Sequence, residues 1–154
     1  MSLWLWQIIE YVANIIRPDP EAAILLLGYD FANANKLFCF NLVTLPAATK
    51  EETSAISGFL SLTSYFFQHA HRSSRATLYT YTNLFLIQLL VEDQPLAKYI
   101  CSDESKTIIR LCRQRQPFLP AVRGERTLAA ILIDMMMDGI NHNLRRRLDV
   151  EFYL

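Results

Sequence analysis

His69 and His71, one residue apart, form the only close histidine pair in the chain and the first place to look for metal chemistry. Zinc takes four ligands, or three and a water, and no Cys, Asp or Glu stands at ligand spacing from this pair. A polar helix end bearing two imidazoles is the better reading. Asp134 and Asp138 lie one helical turn apart and could in principle share a proton or a cation. Without an accompanying His or a Gly-rich phosphate loop, they are expected to bond to Arg or Asn across a helix contact. Ser54, Ser57, Ser61 and Ser64 offer hydroxyls but no neighbouring base, so the row reads as a close-packed helix seam, with Gly58 permitting close approach. No nucleotide loop, nucleophile elbow or kinase signature is found, and neither an enzyme nor a cofactor is expected.

Between Lys106 and Arg147 stand nine Lys or Arg and only three acids. Arg110, Arg113, Arg115, Arg123 and Arg126 flank a loop at 114–124, and Arg145, Arg146 and Arg147 follow a long apolar segment. Guanidinium groups gathered in this way suit a phosphoinositide head group or an acidic stretch of a partner protein. The expected binding residues are therefore Arg113, Arg115, Arg123, Arg145, Arg146 and Arg147. The competing reading is a solvated face with helix caps and local pairs to Glu125, Asp134 and Asp138. Nucleic acid is not expected, because the net charge is zero and the aromatic residues lie on apolar faces, away from the arginines.

These residues must be positioned by helices. The segment 126–147 reads at 100° per residue with Leu128, Ile131, Leu132, Met135, Met136 and Ile140 on one face. Ala129, Ala130, Ile133 and Met137 fill most of the other, which predicts a helix buried on nearly every side. Further helices are predicted over 3–16, 20–32, from a Thr49/Glu52 capping box to His69, over 74–91 and over 95–100. A short one capped by Ser102 or Asp103 should run to about Arg113, and another should begin at Asp149. The stretch 33–46 reads as loop or short helix. At 154 residues the chain is long enough for one domain, yet 52% hydrophobic and 19% charged residues suit a part of a larger assembly. The expected fold is all-α: one armadillo-like α-solenoid region over 1–154, a right-handed array of about six to seven helices, cut off at its C-terminal end.

Cys39, Cys101 and Cys112 share no metal spacing and read as reduced thiols. The N-terminus lacks the basic region of a signal peptide, and no uninterrupted apolar run approaches the length needed to span a bilayer. Membrane contact would then be peripheral. The alternative, motivated by helices apolar nearly all round, is an integral membrane protein or a subunit of a membrane complex.

FLSLTSYFFQ (Phe59–Gln68), LFLIQLLVEDQ (Leu84–Gln94), RLCRQRQPFLP (Arg110–Pro120) and RTLAAILIDMMMDGINHNLRRRLDVEFYL (Arg126–Leu154) resemble the armadillo-like helical domain-containing protein 3 family, its fungal members in particular. The resemblance implies a helical scaffold or adaptor without catalysis or cofactor, cytoplasmic and peripheral at the Golgi membrane. It further implies a role in membrane trafficking through a phosphatidylinositol 4-kinase and an Arf exchange factor. Fungal relatives are also described as membrane proteins. No family binding residue maps onto a numbered position here, so the arginines rest on their chemistry alone.

Overall fold

A computed structural model describes residues 24–47, 53–112 and 124–146. Six α-helices run through them: α1 Ile24–Ala34, α2 Lys36–Thr44, α3 Ala55–His69, α4 Ser74–Glu92, α5 Gln94–Cys101 and α6 Leu128–Arg146. Single 3-10 turns lie at Ala70–Arg72 and Asp103–Ser105. The described residues contain no strand, only an isolated antiparallel bridge between Thr107 and Arg126, and their regular structure is all-helical, as the sequence predicts.

Side chains that satisfy orphan amides set the helix starts. Asn35 accepts from the amides of Leu37 and Phe38 and so resolves 33–46 as a helix. Ser73 caps α4 through the amide of Ala76, and Asp93 caps α5 through that of Leu96, with Pro95 in the first turn. Helix α3 begins later than its predicted capping box: Ser54 is the N-cap, bonded to Ser57, and residues 48–52 lie outside the described ones. The predicted helices at 3–16 and from Asp149 also lie outside them.

One expected helix is absent. After the 3-10 turn, residues 106–112 are extended rather than helical. Ile109 and Leu111 point into the core while Ile108 and Arg110 point out, the two-residue alternation of a strand. Paired backbone bonds between Thr107 and Arg126 (2.9 and 3.1 Å) hold this conformation.

Helix α4 packs against α1, α3 and α5; α3 packs against α2, α4 and α6; and α5 also touches α6. The main core draws residues from every described helix, including Val43, Leu60, Leu86, Ile100, Ile131 and Met135. The 3-10 turn folds α3 and α4 into an antiparallel hairpin, with the rings of Phe66 and Tyr79 5.6 Å apart beside it. Helix α6 instead runs parallel to α3. Leu128 and Leu132 line the same small cavity as Ile56 and Leu60, Gly139 meets Phe67, and His142 faces His71.

The contact at Gly139 corrects two expectations. A Cβ there would lie 3.0 Å from Phe67 Cδ2, so the close approach that Gly58 was expected to permit belongs to Gly139. Gly58 is exposed, with nothing within 4 Å of a built Cβ. Because Phe67 enters at position 139, the inner face of α6 follows Leu128, Ile131, Met135, Gly139 and Asn143, and Ile140 is turned out to solvent. Nor is α6 covered on every side: Ile133, Met137, Ile140 and Leu144 are exposed among the described residues.

Of the serine row expected to form a helix seam, Ser57 and Ser64 are buried and Ser54 and Ser61 half-buried. Thr63 and Gln68 of α3 and Thr80, Thr82 and Asn83 of α4 are buried as well. Thr63 and Thr80 donate to carbonyls one turn back, at 2.8 Å each. Asn83 is fully buried, and both its amide atoms lack a hydrogen-bond partner among the described residues. An unbonded buried amide costs about 1–3 kcal/mol, so Asn83→Leu should leave stability unchanged or raise it by about 1 kcal/mol. A loss of similar size in urea unfolding would show that the amide is bonded. Gly139→Val should cost about 2 kcal/mol by overpacking Phe67, while Gly58→Ala should gain about 1 kcal/mol of helix propensity. If the two substitutions act alike, α6 is not seated as described.

Candidate interaction surface

No cluster of three or more His, Cys, Asp or Glu able to hold a metal occurs among the described residues. The two histidines of the close pair diverge. His69 stacks on Tyr65 with ring centroids 4.1 Å apart, and its Nδ1 donates to the Tyr65 carbonyl at 2.7 Å. His71 turns toward His142 on α6, at 5.5 Å between centroids.

Asp134 is bonded to Arg126, two turns back across the start of α6, as an inter-residue pair rather than an acid/base couple. Both side chains are nearly half exposed, so solvent screens the pair, which contributes at most about 1 kcal/mol. The hydrogen bond to Asp134 pushes the Arg126 guanidinium further up. A groove of about 410 Å³ opens between the end of α2, the start of α3 and residues 104–108. Glu104 is the only carboxylate among the described residues that line it, and neither Asp134 nor Asp138 reaches it.

Burial pushes the Cys39 and Cys112 thiols up, which keeps them protonated and unreactive. Cys39 donates to the Ala32 carbonyl at 3.3 Å.

The two described arms that flank residues 113–123 are pinned together. Thr107 and Arg126 exchange backbone bonds, and buried Ser105 accepts from the Leu128 amide at 3.2 Å, capping α6. The incoming arm is fixed further along by Ser64 of α3, which accepts from the Cys112 amide at 2.8 Å. It thus runs from the α6 N-terminus up the side of α3 toward Arg72, whose charge acts on the Cys112 thiol.

Of the six arginines singled out in the sequence, Arg113, Arg115, Arg123 and Arg147 lie outside the described residues. Arg145 and Arg146 close α6. Because α6 runs parallel to α3, its last turn lies beside the 3-10 turn that carries Arg72, with Arg75 in the first turn of α4. Arg72 and Arg75 are exposed and belong to the same end of the array. In the sequence they read only as a connection, since nothing there reveals that α6 is parallel to α3. Arg126 sits at the other end of α6, roughly 28 Å away at 1.5 Å per residue.

The positive charge at this end also bears on His69. Burial lowers its pKa, outweighing the Tyr65 bond that acts upward, and Arg72 adds to the lowering. The unfolded chain therefore binds the proton first. The contribution of His69 to stability is full above about pH 6.5 and is lost as pH falls through the depressed folded value. An NMR titration of the His69 ring should give a midpoint below 6.5; a midpoint at or above that value would refute this surrounding.

Residues 126–154, from the base of the loop through α6 and beyond, match the family described as armadillo-like helical domain-containing protein 3, C-terminal. The chain is 28% identical over 136 residues to a UPF0588 membrane protein of Schizosaccharomyces pombe. That alignment covers 88% of the chain and 22% of the relative, so the chain spans about a fifth of the relative's length. No solved structure matches. Among the described residues no helix is long and apolar enough to cross a membrane.

Proposed function

We propose that this chain, which belongs to the armadillo-like helical domain-containing protein 3 family, is a non-catalytic helical scaffold that docks on anionic membrane through its basic end. The observation that carries this reading is the parallel course of α3 and α6. It brings the turn with Arg72, the start of α4 with Arg75 and the end of α6 with Arg145 and Arg146 to one end of the array. Arg147 follows α6 directly. Arg113 follows Cys112, the residue that Ser64 ties to α3. Arg115 and Arg123, outside the described residues, are assigned to the same anionic-lipid or acidic-partner surface on their charge alone. Each basic residue near an anionic bilayer contributes on the order of 1 kcal/mol, so five or six together suffice for reversible attachment.

An armadillo-like α-solenoid is the architecture proposed for the array. The antiparallel α3–α4 hairpin, with α6 stacked parallel on α3, is the packing that repeated helical pairs adopt. We place such a scaffold on the Golgi membrane, where it recruits a phosphatidylinositol 4-kinase and an Arf exchange factor to support trafficking. A relative named as a membrane protein, together with described helices that do not span a bilayer, supports peripheral attachment.

Cosedimentation with vesicles containing phosphatidylinositol 4-phosphate tests the electrostatic part. Binding should fall at least tenfold on replacing Arg72, Arg75, Arg145, Arg146 and Arg147 with Glu, and it should weaken steeply with salt. Binding indifferent to both overturns the proposal. The exposed Leu78, Phe85 and Val91 on α4, set against buried Thr80, Thr82 and Asn83, favour a second reading as part of an integral membrane assembly. Carbonate extraction separates the two, because an integral protein stays with the membrane.

A further inference from the structure

All three histidines of the chain stand at one end of the array: His69 closes α3, His71 lies in the 3-10 turn, and His142 lies one turn before the end of α6. They are placed differently. His69 stacks on Tyr65 of its own helix, whereas His71 and His142 meet across the seam between the turn and α6, ring centroids 5.5 Å apart and planes at 48°. Both of these rings are half-buried, and His71 Nδ1 and His142 Nε2 are shut off from solvent.

The charges placed around the pair are mostly positive. Arg72 follows His71 on the turn, Arg75 lies in the first turn of α4, and Arg145 and Arg146 follow His142 by three and four positions. Asp138, one turn before His142, is the only carboxylate at this end among the described residues. From α3 comes His69, and from the incoming arm Cys112, whose thiol feels the charge of Arg72. Both rings of the pair sit at C-terminal helix ends, where the dipole favours one cation. A second cation 5.5 Å from the first lies well inside the screening length of roughly 8 Å at physiological salt, and Arg72 adds to the repulsion.

We propose that His71 and His142 form a proton-operated latch, which holds the end of α6 on the 3-10 turn while at most one ring is charged and releases it when both are. The next attachment inward is Gly139 against Phe67, and release ends there. Parted rings take up the second proton more readily than packed ones, so acidification favours the open end. The latch needs no lipid and stands apart from the membrane reading.

Amide exchange on the unaltered chain tests it. After correction for intrinsic rates, protection over 140–146 should fall at least tenfold between about pH 7.5 and about pH 5.5, either side of the ordinary histidine value, while that over 131–135 holds. His142→Phe and His71→Phe, each checked for unchanged helix content, should both abolish the fall, and His69→Phe should leave it in place. Equal protection at the two pH values, a loss shared by the whole of α6, or a fall that survives either replacement in the pair overturns the latch. NMR titration gives a second measure without substitution: the His71 and His142 rings should titrate in two steps about one pH unit or more apart. Two rings that titrate together as independent groups overturn it as well.

Discussion

The contact between Gly139 and the ring of Phe67 fixes how close α6 can come to α3, and with it much of what the molecule presents to its surroundings. A Cβ at 139 would lie 3.0 Å from Phe67 Cδ2, so the ring would have to give by a few tenths of an ångström. Helix α6 lies along α3 in the same direction, so its last turn shares an end of the array with Arg72 and Arg75, while Arg126 is left with Asp134 at the far end. With Gly139 against Phe67, Ile140 faces outward with Ile133, Met137 and Leu144.

The interior is organised in an unusual balance. Fully buried positions include Asn83, Asn143, Thr63 and Thr80 beside Leu60, Phe66 and Met135. The threonines avoid a penalty by bonding back to their own helices, whereas Asn83 and Asn143 bond to nothing described. Large apolar side chains such as Leu62, Leu78 and Phe85 face outward at the same time. Burial of apolar area drives folding at roughly 25 cal/mol per Å², so these outward side chains add little to the stability of the described helices.

Periodicity revealed the helices well where the chain supplied long apolar repeats with polar caps. Ser74–Glu92 and Gln94–Cys101 fall within a residue or so of the expected bounds, and α6 starts two residues late because Arg126 is committed to the bridge with Thr107. Failure came where tertiary contacts outweighed local preference. Residues 106–112 are drawn out straight by Arg126 and by Ser64, partners 19 and 48 positions away along the chain. A window of a dozen residues contains neither partner. The serine row was legible as a seam, and Ser57 and Ser64 are buried in it; the buried Thr80, Thr82 and Asn83 of α4 were not, since nothing in a single helix tells which of its polar residues meets another helix. The arginine cluster was legible as composition and illegible as a surface, since the members added by the fold, Arg72 and Arg75, lie some seventy positions before Arg145.

The clamp of Thr107 on Arg126, with Ser105 beneath it, holds the start of α6 against the straight run that follows the 3-10 turn. Residues 108–112 leave this clamp and rest on the body through Ile109, Leu111 and the Ser64 bond. Two backbone bonds thus tie positions 19 apart in the chain, and lengthening a loop closed in this way costs only about 0.6 kcal/mol per doubling. The register of α6 on α3 is therefore set by the clamp and not by the number of residues between its two halves.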